Sequence, residues 1–423
     1  MTVRTNGRRL VLVAAAVTAL GGWTAVVAMP ATADQSHHAL YVSPHGQSNR
    51  SGHSCQSATY HSIQAAVDAA STGGRVVVCR GTYREDVMVA KSLRLTGRDA
   101  ATIDATGLEN AVQVVASHVT VSGLRLINAN GEGLLAGVDT GADAGLLPAG
   151  SPVLTDITID HVAALYDDKG FNGTESGNCK YPGDCGGGIH LNVVSWSRVA
   201  HSRVNNNADG ILLTDDYGPN SHNVLKDNIV NDNTTECGIV LASHSSTAVS
   251  FDPTTFVVTG RNPSSGGVYD NVISGNVTLR NGTAKAPPQF GGGGSGSGIG
   301  IFGSGPGSAA YDNLVEENYM AGNGLAGFTI HAHHPGGEDV NGNNVIDNRV
   351  GTNNLGGDGF DGPPVVDFQT TGIAVFSVPP VRMTIRDNEI SDNEIGIWLS
   401  TTVHARGLRD NDFDDVTRHV VRG

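Results

Sequence analysis

Asn223-Val224-Leu225-Lys226-Asp227-Asn228-Ile229-Val230-Asn231-Asp232-Asn233, with Gly238-Ile239-Val240-Leu241 following five residues on, decides the fold. Asparagine returns at every fifth position, and the run closes on a glycine with apolar residues behind it. The spacing recurs at Asn271, Asn276 and Asn281, at Asn313, Asn318 and Asn323, and at Asn343, Asn348 and Asn353. Fixed internal spacing within units of roughly 20 to 45 residues marks a repeat architecture, in which stacked units share one continuous core.

The glycine sets a register between units. Gly188-Ile189-His190-Leu191, Gly210-Ile211-Leu212-Leu213, Gly298-Ile299-Gly300-Ile301, Gly327-Phe328-Thr329-Ile330, Gly372-Ile373-Ala374-Val375 and Gly396-Ile397-Trp398-Leu399 all read as the strand that begins at Gly238. A period of two turns the residues one and three after the glycine inward, and those two and four after it outward. Asparagines at matched positions in successive coils then stack as a ladder, a structural role. Other short β-branched strands are expected at Asn110–Val115, Val119–Val121, Leu124–Ile127 and Ile157–Ile159. With 57 glycines and only 5% aromatic residues, a narrow core of Ile, Leu and Val is expected.

One amphipathic helix stands out. Ile63, Ala66, Val67 and Ala70 fall on one face, the helix starts near Ser62, and Gly73-Gly74 stop it. The buried strand Arg75–Cys79 follows at once, so residues 53–80 read as a cap over the open end of the stack, with coils over 81–423. The Gly-, Ser-, Pro- and Asp-rich stretches 131–152, 167–187, 245–266, 284–296 and 356–370 read as loops that leave the coil and define a groove on one face.

The repeat D-N-x-[I/V]-x-x-N followed by Gly-Ile, seen at Asp227-Asn228-Ile229 and Asp387-Asn388-Glu389-Ile390, resembles the right-handed parallel β-helix proteins of the pectin-lyase-like superfamily. It is most similar to their NosD-type and mannuronan-epimerase-type members. Ser62-Ile63-Gln64-Ala65-Ala66-Val67 with Gly81-Thr82-Tyr83 resembles their N-terminal cap. The resemblance spans the whole chain after residue 33 and implies an all-β, right-handed parallel β-helix with a capping helix. It implies no single activity, since the same repeat serves lyases, hydrolases, epimerases and non-enzymatic proteins.

Candidate chemistry lies where outward positions carry Asp or His. Asp216 and His244 both stand six residues after their glycines, so one strand spacing separates them, and a carboxylate beside an imidazole is an acid/base pair. Asp209, Asp215 and His190 crowd the same neighbourhood and complete the catalytic candidates. Glu236, His331, His333 and Trp398 are candidates for substrate contact, the indole by stacking on a sugar ring; Trp196 is a second such indole. The competing reading is that acids near coil corners bond turn amides. Asn207-Ala208-Asp209-Gly210 resembles the N-T-D-G signature of polygalacturonase-type hydrolases, which implies a catalytic Asp209, but the later G-H-G and R-I-K motifs are missing. The D-P-H motif of mannuronan epimerases is missing too. His331 and His333 share a face, which suits a cation, and the NosD resemblance implies copper handling. No cofactor is expected, although a divalent cation is compatible with the site.

Arg4, Arg8 and Arg9 precede the apolar run Leu10–Val27, and Ala31-Thr32-Ala33 offers a cleavage point before Asp34. Residues 1–33 therefore read as a secretory signal peptide, and 34–423 as one secreted, extracellular domain, expected as a monomer. Losing three arginines moves the formal charge from −15 to −18. That balance argues against nucleic acid and against an anionic membrane surface, and no later stretch is long and apolar enough to span a bilayer. The expected partner is a polysaccharide or oligosaccharide. The expected function is acid/base cleavage or epimerisation of a glycan; the alternatives are a non-catalytic carbohydrate-binding or surface solenoid, or a NosD-like metal-handling protein. In an exported chain cysteines pair, here Cys55 with Cys79 and Cys179 with Cys185, leaving Cys237 over.

Overall fold

The computed structural model describes residues 39–45, 52–138, 153–168, 186–285, 293–357 and 369–423. The signal segment and the Cys179–Cys185 pair lie outside these residues.

In one coil Val194–Ser195, Arg198–Ala200, Arg203–Asn205 and Asp209–Thr214 follow one another. Each pairs in parallel with its counterpart in the next coil: Asn220–Ser221, Val224–Lys226, Ile229–Asn231 and Ile239–Ser243. Repetition builds parallel sheets of five, twelve and twenty strands. The largest consists of two ribbons, which the strand Glu389–Leu399 joins by pairing with both Arg349–Val350 and Thr371–Ser377. The result is an all-β, right-handed parallel β-helix.

Single residues in the left-handed region turn the corners: Trp196, His201 and Asn206 in one coil, His222, Asp227 and Asp232 in the next, with φ between 49° and 61°. Asp and Asn enter this region at the lowest cost among residues with a Cβ. The Asp-Asn pairs follow from this, since Asp takes the turn and Asn the ladder rung behind it. Asn228 Oδ1 accepts from the Ser202 N–H at 3.0 Å, while its own Nδ2 donates to Val199 O at 3.0 Å and to Asn276 Oδ1 at 2.9 Å. The same bonds continue through Asn318, Asn348, Asn388 and Asn411. Parallel ladders run from Asn223 to Asn343 and from Asn207 to Asn353. Each buried amide thereby closes backbone groups that a corner would leave unpaired.

The residues one and three after each glycine, Ile189 and Leu191 through Ile397 and Leu399, all lie in the main hydrophobic core. At the N-terminal end the helix Ile63–Ala69, capped by the Ser62 side chain, adds Ile63, Ala66 and Val67 to that core. The Glu85 carboxylate accepts from the Ile63 and Gln64 N–H groups at 2.8 and 2.9 Å and fixes the helix start. Cys55 and Cys79 form the expected disulfide.

Three boundaries differ from expectation. The helix stops at Ala69, before the glycines, because Ala70 is already extended. Residues 131–152 are not all loop: Leu134–Ala136 pairs with Val112–Val114 and Leu134 with Ile189, so Gly133 takes the coil position of Gly188. Residues 245–266 hold an antiparallel hairpin, Val249–Phe251 with Val258–Arg261, whose turn is closed by Asp252 Oδ1 on the Thr254 N–H.

Candidate functional site

The strands Leu134–Ala136, Gly187–Asn192, Asp209–Thr214 and Ile239–Ser243 lie side by side. Thr214 pairs with Ala242, and two residues on, past the strand end, Asp216 meets His244. His244 Nδ1 lies 2.8 Å from Asp216 Oδ1, and Asn192 Nδ2 donates to Asp216 Oδ2 at 2.6 Å. The two side chains are 24% and 11% exposed, so solvent reaches the pair. Burial works to raise the Asp216 pKa, but the hydrogen bond and charge of His244, the charge of His190 and the Asn192 amide outweigh it and leave the carboxyl below its usual range.

Asp215 points the other way. Its carboxylate accepts from the N–H groups of His244, Ser245 and Gly267 and from Ser243 Oγ, at 2.6, 3.1, 2.5 and 2.8 Å. These bonds hold the turn that carries His244, and a carboxylate so engaged positions its neighbours. Burial raises its pKa against the lowering effect of those four donors.

His190 is buried between Glu132 Oε1, 3.1 Å from Nδ1, and Thr214 Oγ1, 2.8 Å from Nε2. Asp209 sits at the start of its strand, about 16 Å of extended chain before Thr214. The five catalytic candidates therefore do not form one cluster. Asp209 is wholly buried; its Oδ1 accepts from Gly210 N–H at 2.7 Å and its Oδ2 has no hydrogen-bond partner among the described residues. Burial first, then the charge of nearby Glu236, opposed by the Gly210 N–H and aided by Asp168, hold its carboxyl well above the ordinary range.

The remaining candidates lie elsewhere. His331 aligns with Phe302 and Phe376 and is buried against the Phe302 ring, with His333 between His331 and Phe376. Trp398 is 3% exposed, packed with Ile395, Phe376 and Val421, so it presents no open ring for a sugar. Its strand position faces outward as expected, but the side chains of adjacent strands, Phe376 in one and Val421 in the paired strand Asp412–Arg422, close around it. Among the described residues Trp196 is the exposed indole, at 65%, stacked on His222 with 4.1 Å between centroids. Cys237 is a buried thiol whose pKa burial raises.

The structure adds Glu132, Asn192 and Thr214 to these residues. Glu132 falls within the stretch 131–152 expected as a loop, although Gly133-Leu134-Leu135-Ala136 repeats the glycine-strand pattern and puts Glu132 where Asp209 stands. Asn192 and Thr214 each stand four after a glycine, an outward position. A separate cavity of about 540 Å³, lined by Phe256, Val257, Glu338, Pro379, Arg382 and His404, opens near the hairpin. Burial pushes the Glu338 carboxyl up to about 7, against the His334 N–H and the His333 charge.

No protein-family model matches the chain, and no curated protein matches it. Among solved structures, a GH136 lacto-N-biosidase from Eubacterium ramulus superposes with a TM-score of 0.54 at 14% identity, covering 91% of this chain and 68% of that one. A pectate lyase gives 0.47 at 14% identity, covering 88% and 78%. An alginate lyase from Paenibacillus gives 0.41 at 12% identity, covering 85% and 95%. The fold is the pectin-lyase-like parallel β-helix. At these identities the likeness extends to the fold alone.

Proposed function

We propose that this is an exported, glycan-active β-helix protein whose chemistry centres on His244, oriented by Asp216. The observation that carries the reading is the 2.8 Å contact between His244 Nδ1 and Asp216 Oδ1 on a solvent-reached edge of the coil. A carboxylate kept ionised at Nδ1 fixes the tautomer that carries the lone pair on Nε2 and stabilises the imidazolium that forms when Nε2 takes a proton. His244 is then the general base and, after proton uptake, the general acid. Asp216 is its positioning residue, with Asn192 holding the second carboxylate oxygen. His190, Glu132 and Thr214 brace the strands behind them.

The surroundings favour a neutral glycan over a uronate. β-Elimination needs a cation on the substrate carboxylate. Arg198 and Lys226 stand on the twelve-stranded sheet and Arg203 on the other ribbon, and the strands Leu134–Ala136, Gly187–Asn192, Asp209–Thr214 and Ile239–Ser243 around the pair carry no lysine or arginine. Activation of water for cleavage of a neutral linkage asks for no such cation.

The test is a panel of neutral and uronic polysaccharides assayed for new reducing ends and for ultraviolet-absorbing unsaturated products. Wild type is expected to release reducing ends from a neutral glycan, with His244→Ala lowering the rate by about a hundredfold or more. Equal rates in wild type and His244→Ala would sink the assignment. A second reading places a general acid at Glu338, since its carboxyl is raised to about 7 and the residue is among those lining the cavity near the hairpin. Loss of activity in Glu338→Gln with His244→Ala intact would select it.

A further inference from the structure

On the opposite side of the coil from the glycan site, the corner after the twelve-stranded sheet departs from its own pattern. Further along the stack the left-handed position there is held by Asp227, Gly275, Glu317, Asp347 and Asp387. In two successive earlier coils it is held by His161 and His201. Asp160, at the end of the strand Thr158–Asp160, stands directly before the first of them.

The three side chains converge. Asp160 Oδ2 lies 2.8 Å from His161 Nδ1, and Asp160 Oδ1 lies 2.8 Å from His201 Nδ1. The two rings lie with centroids 5.0 Å apart, about one coil spacing, tilted 33° to one another. One ligand atom from each residue lies within 4.8 Å of the others. Across the next coil Asp227 Oδ2 is 3.8 Å from His201 Nε2, on the far side of that ring. Side-chain exposures of 66% for His161, 42% for His201 and 35% for Asp160 leave the cluster open to solvent.

We propose that Asp160, His161 and His201 form a surface site for a borderline divalent transition metal such as zinc. Two imidazole nitrogens with one carboxylate form a donor set that suits zinc, copper or nickel and is too nitrogen-rich for calcium or magnesium. Tetrahedral bonds of about 2.0 Å put neighbouring ligand atoms about 3.3 Å apart, so small side-chain rotations take the cluster from shared hydrogen bonds to chelation. The ion takes the place of the proton on each Nδ1, and water completes its coordination. Asp227 then accepts the remaining N–H of His201 and orients the ring, the usual arrangement behind a metal-bound histidine. The site uses no residue of the glycan face and does not depend on the reading given to that face.

Calorimetric titration of the purified chain with zinc chloride tests it. Wild type is expected to bind one equivalent that the double substitution His161→Ala and His201→Ala weakens by about a hundredfold, while His331→Ala with His333→Ala keeps it and calcium chloride does not compete. Absence of zinc binding by wild type, full binding by the first pair, or its loss in the second pair overturns the proposal. A zinc-edge anomalous map of wild-type crystals decides independently of how any variant folds. A peak within bonding distance of Asp160, His161 and His201 is expected, and peaks only elsewhere contradict the site.

Discussion

Asp209 and Asp216 belong to one coil, yet their surroundings push their carboxyl groups in opposite directions. Asp216 gains partners, so its depressed folded pKa contributes stability above the unfolded value that is lost as pH falls through the folded one. Asp209 is raised, so the folded state holds its proton more tightly than the unfolded chain, and stability declines as pH climbs from the unfolded toward the folded value. Asp209→Asn keeps the shape, removes the cost of holding a protonated carboxyl buried beside Glu236, and is expected to raise the melting temperature by an amount that grows from about pH 4 upward. A melting series showing no gain, or one that shrinks with pH, would contradict that environment. The Asp216–His244 contact was legible because both residues stand six after a glycine. The grouping of Asp209 with that pair does not hold, because it stands one before the glycine of its coil and Asp216 six after it, at the start of one strand and past its far end. What a coil count cannot show is burial: the role of Asp215 depends on the turn amides of His244, Ser245 and Gly267, and that of Trp398 on the side chains of the neighbouring rungs.

The ladders and the cap carry the elements. Asn276 Oδ1 serves both the backbone N–H and the side-chain amide of Asn228. Asn276→Ala leaves both donors buried without an acceptor and is expected to cost about 3 kcal/mol in denaturant unfolding, whereas the same change at partly buried Asn344, whose side-chain amide bonds only the nearby Gly342 carbonyl among the described residues, stays within about 0.5 kcal/mol. Comparable losses at the two sites would show that the ladder is not the structural unit. Cys55 and Cys79 are 24 residues apart and tie the cap to the first strands. Replacing both with serine is expected to lower stability by about 3 kcal/mol through the freed unfolded chain, read as a fall in the unfolding midpoint. An unchanged midpoint would mean that the cap holds without it. Five-residue spacing made the ladders readable because each rung is a repeat position. The strand Leu134–Ala136 was harder to see, since it is short and its asparagine pattern is absent.

At the scale of the molecule, one narrow core runs from the capping helix to the last coil, and its outer face varies from coil to coil. A solenoid of this kind separates scaffold from chemistry: inward residues and corner asparagines repeat, and departures on outward rows are where sites arise. Two such departures stand on different faces, the His244–Asp216 pair and the Asp160–His161–His201 corner. The overall charge of −15 disfavours polyanions as ligands. The most direct measurement is the initial rate of reducing-end release from neutral polysaccharides by wild type, His244→Ala and Asp216→Asn. The account predicts activity in wild type, a loss of about a hundredfold or more in His244→Ala and a smaller loss in Asp216→Asn, where the imidazole remains but its orienting charge is gone. Equal rates in all three proteins, or no release from any neutral glycan, would contradict it.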